Sequence, residues 1–472
     1  MTAIWIIDTM AAAMHAETAG ALPADVNGIS IDSRTLGKGD AFFAIKGENR
    51  DGHDYVDNAL KGGAGLAVVA RDQRDRFAGA PLLIVSDVLE ALRDLARAAR
   101  ARMHGRVIAV TGSVGKTGTK EALRLALSTD GETHASIASY NNHWGVPLSL
   151  ARCPASVKYA IFEIGMNHAG EITPLVGMVR PDIAIITTIA ASHLGHFKSL
   201  DDIAEAKAEI FSGVVAGGAA IINQDSPYYE ALKSRATRHG IKNIIGFGKH
   251  EQAAVRLKHV ALHPTCSCIS ADVLGDEVTF KLGVPGAHMA LNSLAVLAAV
   301  KLAGADLALA CMALADAAPA KGRGGQQLLQ TPHGDILLID ESYNANPESM
   351  AAALNLLSTV SKSRKGRKVA VLGDMLELGQ FSQDMHKGLA KLLDEAGIDL
   401  LYSAGPMMRH LWDAIPQSRR GLHAETSSGL VEALITALKA GDSVVIKGSF
   451  GSKMGLVVEA LRQRFPASKK EI

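Results

Sequence analysis

The sequence predicts an α/β protein of three domains: a central, mostly parallel P-loop-type sheet between a small N-terminal α/β domain and a C-terminal Rossmann-like α/β domain. Short β-branched runs alternate with helix-spaced segments along most of the chain, the order that builds parallel sheets covered by helices. At 472 residues the chain is also too long for one core. A third observation places a boundary: Lys321-Gly322-Arg323-Gly324-Gly325 interrupts a helical pattern with three glycines and reads as a hinge. The expected domains are residues 1–86, 87–320 and 321–472.

A 48% hydrophobic fraction with only 4% aromatic residues describes a soluble globular chain whose core is mainly Ala, Val, Ile and Leu. The formal net charge of +1 gives no global electrostatic reason to expect nucleic acid or a membrane surface as partner. There is no uncharged apolar run long enough to span a bilayer. The N-terminal MTAIWIIDTMAAAMHAE carries Asp8, His15 and Glu17 with no basic stretch, and is a poor signal peptide. Four cysteines are too few for a disulfide scaffold, and Cys266-Ser267-Cys268 lacks the spacing of a zinc site. A reducing cytoplasm is the simplest setting.

Taken in order, residues 29–34 alternate like a strand ending in a polar turn, and residues 41–45 form a second strand. The glycine-rich loop 46–55 that follows suits a ligand and equally an ordinary surface. Residues 88–103 place Leu89, Leu92, Leu95 and Ala99 at helical spacing with arginines between, a linking helix with a solvated basic face.

Residues 106–127, RVIAVTGSVGKTGTKEALRLAL, are the most informative stretch. A buried β-branched strand runs into the turn Gly112-Ser113-Val114-Gly115-Lys116-Thr117, and an amphipathic helix follows. Strand, glycine turn and helix N-terminus together cradle a phosphate with backbone N–H groups and the helix dipole. Lys116 would reach the terminal phosphates and the Thr117 hydroxyl would meet Mg²⁺. The usual pattern has four residues between its glycines; here only Ser113 and Val114 intervene.

Further strands are expected at 159–164, 182–187 and 219–223, and ligands of such sheets collect at strand carboxyl ends. Asn141 and Asn142 lie before a Pro147-initiated helix, either as edge-of-sheet ligand groups or as a turn. Glu163 ends its strand and reads equally as a Mg²⁺ ligand or a solvated strand end. His193 and His196 share one loop, without the further ligands of a zinc site. By composition Lys207 is a salt-bridged surface lysine. In the last segment strands are expected at 336–339, 369–372, 400–403 and 444–446. Asn346 before Pro347 is a strong helix start.

The segments DSR, FFAIKGENRDGHDY, TGSVGKTGTKEAL, YNNHWGVPL, EIGMN, the His193 loop, EAKAEIF, DESYNANPESM, VLGDMLELG and IKGSFGSKM, in this order, resemble the Mur ligases. Those enzymes add amino acids to a UDP-linked muramoyl precursor. The resemblance spans all three domains, and its C-terminal segments are similar to the member that adds a dipeptide. It implies an ATP-dependent ligase, with ATP and Mg²⁺ (two ions) as cofactors and an acyl-phosphate intermediate. UDP-N-acetylmuramoyl-tripeptide and D-alanyl-D-alanine are the implied substrates, and a monomer is expected. Ser33, Arg34, Gly52 and His53 would then hold the uridine-diphosphate end, and Asn141 and Asn142 the precursor. Gly112 to Thr117, Asn292 and Arg323 would hold ATP. Glu163 and His193 would bind Mg²⁺, and Lys207, carbamylated, would support a second ion. Tyr343, Asn344 and Asn346 would serve the incoming substrate. Gly195 and His196 stand where relatives often carry an acidic residue, so His196 receives no role. The alternatives are the diamino-acid-adding neighbour, a folylpolyglutamate synthase, or, in another class, a P-loop NTPase switch.

Overall fold

The computed structural model describes residues 3–192, 194–361, 365–468 and 470, so His193 lies outside the described residues. Among these, the chain forms three main sheets, of five, nine and six strands, and one two-stranded ribbon.

The N-terminal sheet runs, edge to edge, Glu17–Ala19, Leu82–Val85, Leu66–Ala70, Ala41–Phe43, Ile29–Ser30, with the first strand antiparallel and the rest parallel. The strand expected to reach residue 34 stops at Ser30. Asp32 captures the Arg34 backbone N–H at 2.9 Å and folds the segment into a turn. The helix Val88–Ala101 buries Val88, Leu92 and Leu95 against this sheet, while Ala96 joins the central core, so it is packed on both sides. Helix Gly145–Ala151 begins two residues earlier than its proline suggests. Pro147 is its third residue, still in the turn whose N–H groups lack helical partners.

The central sheet is parallel from Thr133–Ala135 through Tyr159–Glu163, Arg106–Thr111, Ile183–Ile186, Ala219–Asn223, Asn243–Gly248 and Val255–Leu262. Two antiparallel strands, Ser267–Val273 and Asp276–Leu282, extend it. Register decides where the site lies. Glu163 pairs with Val110, and Thr111 with Ile186, so three neighbouring strands end at one level beside the glycine turn. Apolar cores fill both faces: Phe162, Ile172 and Phe211 on one, Leu123, Leu294 and Leu297 on the other.

The C-terminal sheet follows the order Gly325–Thr331, Gly334–Glu341, Ser443–Lys447, Lys368–Gly373, Leu400–Ala404, Arg420–Ala424, parallel except for its first hairpin. Asn346 caps helix Pro347–Val360: its Oδ1 accepts from Ser349 N–H at 2.8 Å, and the Ser349 hydroxyl accepts from Asn346 N–H at 3.0 Å. Asn346→Ala is therefore expected to cost about 1 kcal/mol, read as a lower thermal midpoint for the C-terminal domain's transition.

Candidate active site

A cleft of about 950 Å³ lies between the central and C-terminal domains, lined by the glycine turn on one wall and by Arg323, Tyr343, Asn344 and Lys447 on the other. The glycine turn is built on close backbone approach. Gly112 (φ +148°) and Gly115 (φ +90°) adopt conformations L side chains avoid. A Cβ on Gly112 would lie 2.0 Å from Thr187 Oγ1, and one on Gly115 2.4 Å from Asn292 Nδ2. Thr187 Oγ1 donates to the Val114 carbonyl at 2.6 Å, and Ser113 is tied to Thr188 and Ala190. The side chain of Ser113 is thereby spent on the turn itself, and Asn292 backs the turn from helix Ala287–Ala303. Lys116 opens helix Lys116–Leu127, and its Nζ donates to the Gly112 carbonyl at 2.6 Å. Desolvation lowers its pKa, opposed by Glu163 and reinforced by Arg323.

Glu163 is not a solvated strand end. It is 1% exposed; one carboxylate oxygen accepts from Thr117 Oγ1 at 2.8 Å, the other from Asn141 Nδ2 at 2.7 Å. A hydroxyl and a carboxylate at the end of the glycine turn are hard oxygen donors of the kind Mg²⁺ prefers. The cleft-lining Ser192 hydroxyl is buried and has no hydrogen-bond partner among the described residues. Asn142 is spent locally, its Oδ1 accepting from Gly145 N–H at 2.9 Å.

Lys207 overturns the compositional reading of a surface lysine. On helix Leu200–Ala208 it is 1% exposed, and among the described residues no carboxylate lies within ion-pair distance. Desolvation first, then the charge of Lys116, holds its amine well below the usual lysine range. His196 is exposed, packs against His168 with ring centroids 4.3 Å apart, and is not among the residues that line the cleft. The backbone N–H of neighbouring Gly195 crosses the domain seam to the Glu377 carbonyl at 2.7 Å.

On the C-terminal wall, the Arg323 guanidinium lies 4.2 Å over the Tyr343 ring and reaches Ser139 Oγ at 3.3 Å. Tyr343 in turn packs on Phe450, which is 75% exposed at the cleft lip. Asn346 lines the cleft while capping its helix. Sequence reasoning missed His288, Glu341 and Lys447, which also line this cleft. Lys447 Nζ bonds Glu341 at 3.1 Å and the Asn344 carbonyl at 2.9 Å. A signal existed: Lys447, like Glu163, ends an apolar strand just ahead of glycine.

The four N-terminal candidates do not reach this cleft. Arg34 is exposed and forms a bidentate pair with Asp32, whose pKa it pulls down to about 2. Ser33 sits in the same turn. His53 is 3% exposed with both ring nitrogens engaged: Nδ1 lies 2.6 Å from Asp51, and Nε2 accepts the Ala70 N–H at 3.0 Å. That acceptor role requires the neutral ring and makes His53 the brace of its loop. Gly52 donates its N–H to the Ile45 carbonyl at 2.9 Å.

Three family models match the chain: Mur ligase family, catalytic domain (residues 25–100), Mur ligase middle domain (110–300) and Mur ligase, glutamate ligase domain (326–450). The UDP-N-acetylmuramoyl-tripeptide–D-alanyl-D-alanine ligase of Rickettsia prowazekii is 33% identical over 97% of this chain and 99% of its own; that of Escherichia coli is 34% identical over 93% and 94%. Crystal structure I of MurF from Acinetobacter baumannii superposes with a TM-score of 0.84 at 31% identity, covering 97% of this chain and 99% of that one. MurF from Thermotoga maritima in complex with ADP gives 0.76 at 26% identity, covering 93% and 97%.

Unfolded lysine titrates near about 10.4, above the depressed folded value of Lys207. Between the two values the unfolded chain holds the extra proton, so burial of Lys207 costs stability there and costs nothing above both. In bicarbonate-free buffer, Lys207→Met is expected to melt higher than the parent at pH 7. The advantage should shrink as pH rises towards about 10.4, and a gap that does not change with pH would refute the buried-amine account.

Proposed function

The chain belongs to the Mur ligase family, and from that premise we propose that it joins D-alanyl-D-alanine to UDP-N-acetylmuramoyl-tripeptide. ATP is consumed, and the products are the UDP-muramoyl-pentapeptide of peptidoglycan synthesis, ADP and phosphate. One observation carries the reading: a single cleft faces the glycine turn and the Thr117–Glu163 pair with Arg323 from the opposite domain. Relatives named for this reaction match over nearly the whole chain. In this scheme residues 1–86 take the uridine-diphosphate end, through Ser33, Arg34 and the Gly52–His53 loop. Residues 87–320 take ATP, and residues 321–472 the dipeptide and part of the nucleotide.

The precursor carboxylate attacks the γ-phosphorus, the bond to the bridging oxygen breaks, and an acyl phosphate and ADP result. The dipeptide amine, having lost its ammonium proton, attacks the acyl carbon; the tetrahedral intermediate expels phosphate, which carries off the remaining nitrogen proton, and the amide remains. The turn's N–H groups, Lys116 and Arg323 neutralise charge on the phosphoryl oxygens, and Asn292 fixes the turn that presents them. Thr117 and Glu163 would hold Mg²⁺, with His193 as a further ligand, and the bound ion would supply Lewis-acid charge neutralisation. Buried, with its pKa held down and no carboxylate at ion-pair distance among the described residues, the Lys207 amine is suited to take up CO₂ with loss of a proton; its carbamate would be the anion that supports a second ion. Asn141 orients Glu163, and Tyr343 orients Arg323. We place the reaction in the cytoplasm and the enzyme as a monomer.

The deciding experiment measures phosphate release from ATP with Mg²⁺ and the tripeptide precursor, with and without D-alanyl-D-alanine. Release that requires the dipeptide, with a pentapeptide product by mass, is expected; release indifferent to both substrates would refute the ligase reading. Glu163→Gln is expected to lower kcat by about 100-fold or more.

A further inference from the structure

One helical turn beyond Lys116, Lys120 is 0% exposed. Its Nζ donates to the Ser136 carbonyl at 2.6 Å and the Ala138 carbonyl at 2.7 Å, and pairs with Glu121 at 2.8 Å. Two hydrogen bonds and one ion pair thus hold the ammonium. A buried ammonium is costly unless its partners stay in place, so the segment holding those two carbonyls cannot move away without stranding the charge. Ala138 is held in the left-handed region (φ +49°), a conformation non-glycine residues adopt at a cost.

What the clamped segment carries gives the clamp its meaning. Ser139 Oγ lies 3.4 Å from Thr117 Oγ1 and 3.3 Å from Arg323 Nη2. Two residues on, Asn141 holds Glu163 at 2.7 Å. One short loop therefore touches the hydroxyl, the carboxylate and the arginine that converge on the phosphate turn, and Lys120 fixes where that loop begins.

We infer that Lys120 is a positioning residue for the magnesium–nucleotide site, acting through residues 136–141 to set Thr117 and Glu163 at ligand distance and to dock Arg323. The inference rests on the proposed nucleotide and Mg²⁺ site but not on the identity of the acceptor.

The test is calorimetric titration of ATP into the full chain at a series of Mg²⁺ concentrations, for the parent, Lys120→Met, Ser139→Ala and the double variant. Lys120→Met is expected to raise the half-saturating Mg²⁺ concentration about tenfold or more. The double variant should then add little beyond Lys120→Met, because both act through one loop. An unchanged Mg²⁺ dependence with only a lower melting temperature would overturn the inference and leave Lys120 a structural clamp, and strictly additive shifts would overturn the loop route. Should Lys120→Met fail to fold, Lys120→Gln keeps an uncharged amide donor on a shorter side chain and is expected to shift the Mg²⁺ dependence in the same direction; no shift overturns the inference. No acceptor or precursor enters the titration. A parent that binds Mg²⁺–ATP yet shows no dipeptide-dependent turnover would therefore refute the ligase reading while leaving the result for Lys120 standing.

Discussion

The hydrogen bond between Thr117 and Glu163 exists because two parallel strands stop at the same level. Register pairs Glu163 with Val110, so the carboxylate emerges beside the turn whose last residue is Thr117. Slipping that pairing by one residue would send Glu163 to the other face of the sheet and put an apolar side chain against the phosphate turn. Asn141, Ser139 and Arg323 are arranged around this pair, and the cleft has a floor because the pair is there.

Four lysines near the cleft show how environment divides one side chain into different functions. Lys116 is aimed along its own turn, and among the described residues its amine is hydrogen-bonded to one carbonyl. Lys120, four residues later, is held by fixed partners and is part of the frame. Lys447 is neutralised by Glu341 across a strand pair. Lys207 is buried with no carboxylate at ion-pair distance among the described residues, and desolvation drives its amine towards the neutral form. Counting positive charges in the sequence would treat all four alike.

Much of the fold was legible because β-branched runs such as 107–110 and 183–186 are buried on both faces and carry a strong signal. The hairpin extension 255–282 was not anticipated, since one of its faces is wet and its strands mix Lys, His and Cys with apolar residues. At the site, Lys116, Thr117 and Glu163 were readable as strand-end and helix-start residues. Lys207 was not, because its burial comes from the packing of its helix on the central core, which composition does not encode. Lys120 was readable in principle: it lies four residues after Lys116, on the same helix face. His53 was readable as a loop residue, but its brace to Ala70 is a contact made only once the sheet has formed.

The bond from Gly195 N–H to the Glu377 carbonyl joins the loop next to His193 to the opposite domain at 2.7 Å. A hydrogen bond of this length tolerates less than about an ångström of stretch before it is lost. In mechanical terms the loop is a feeler gauge resting on the far wall. Its position is referenced to the gap between two bodies rather than to one of them, so the stiffness of that seam sets the tolerance to which the loop can be aligned.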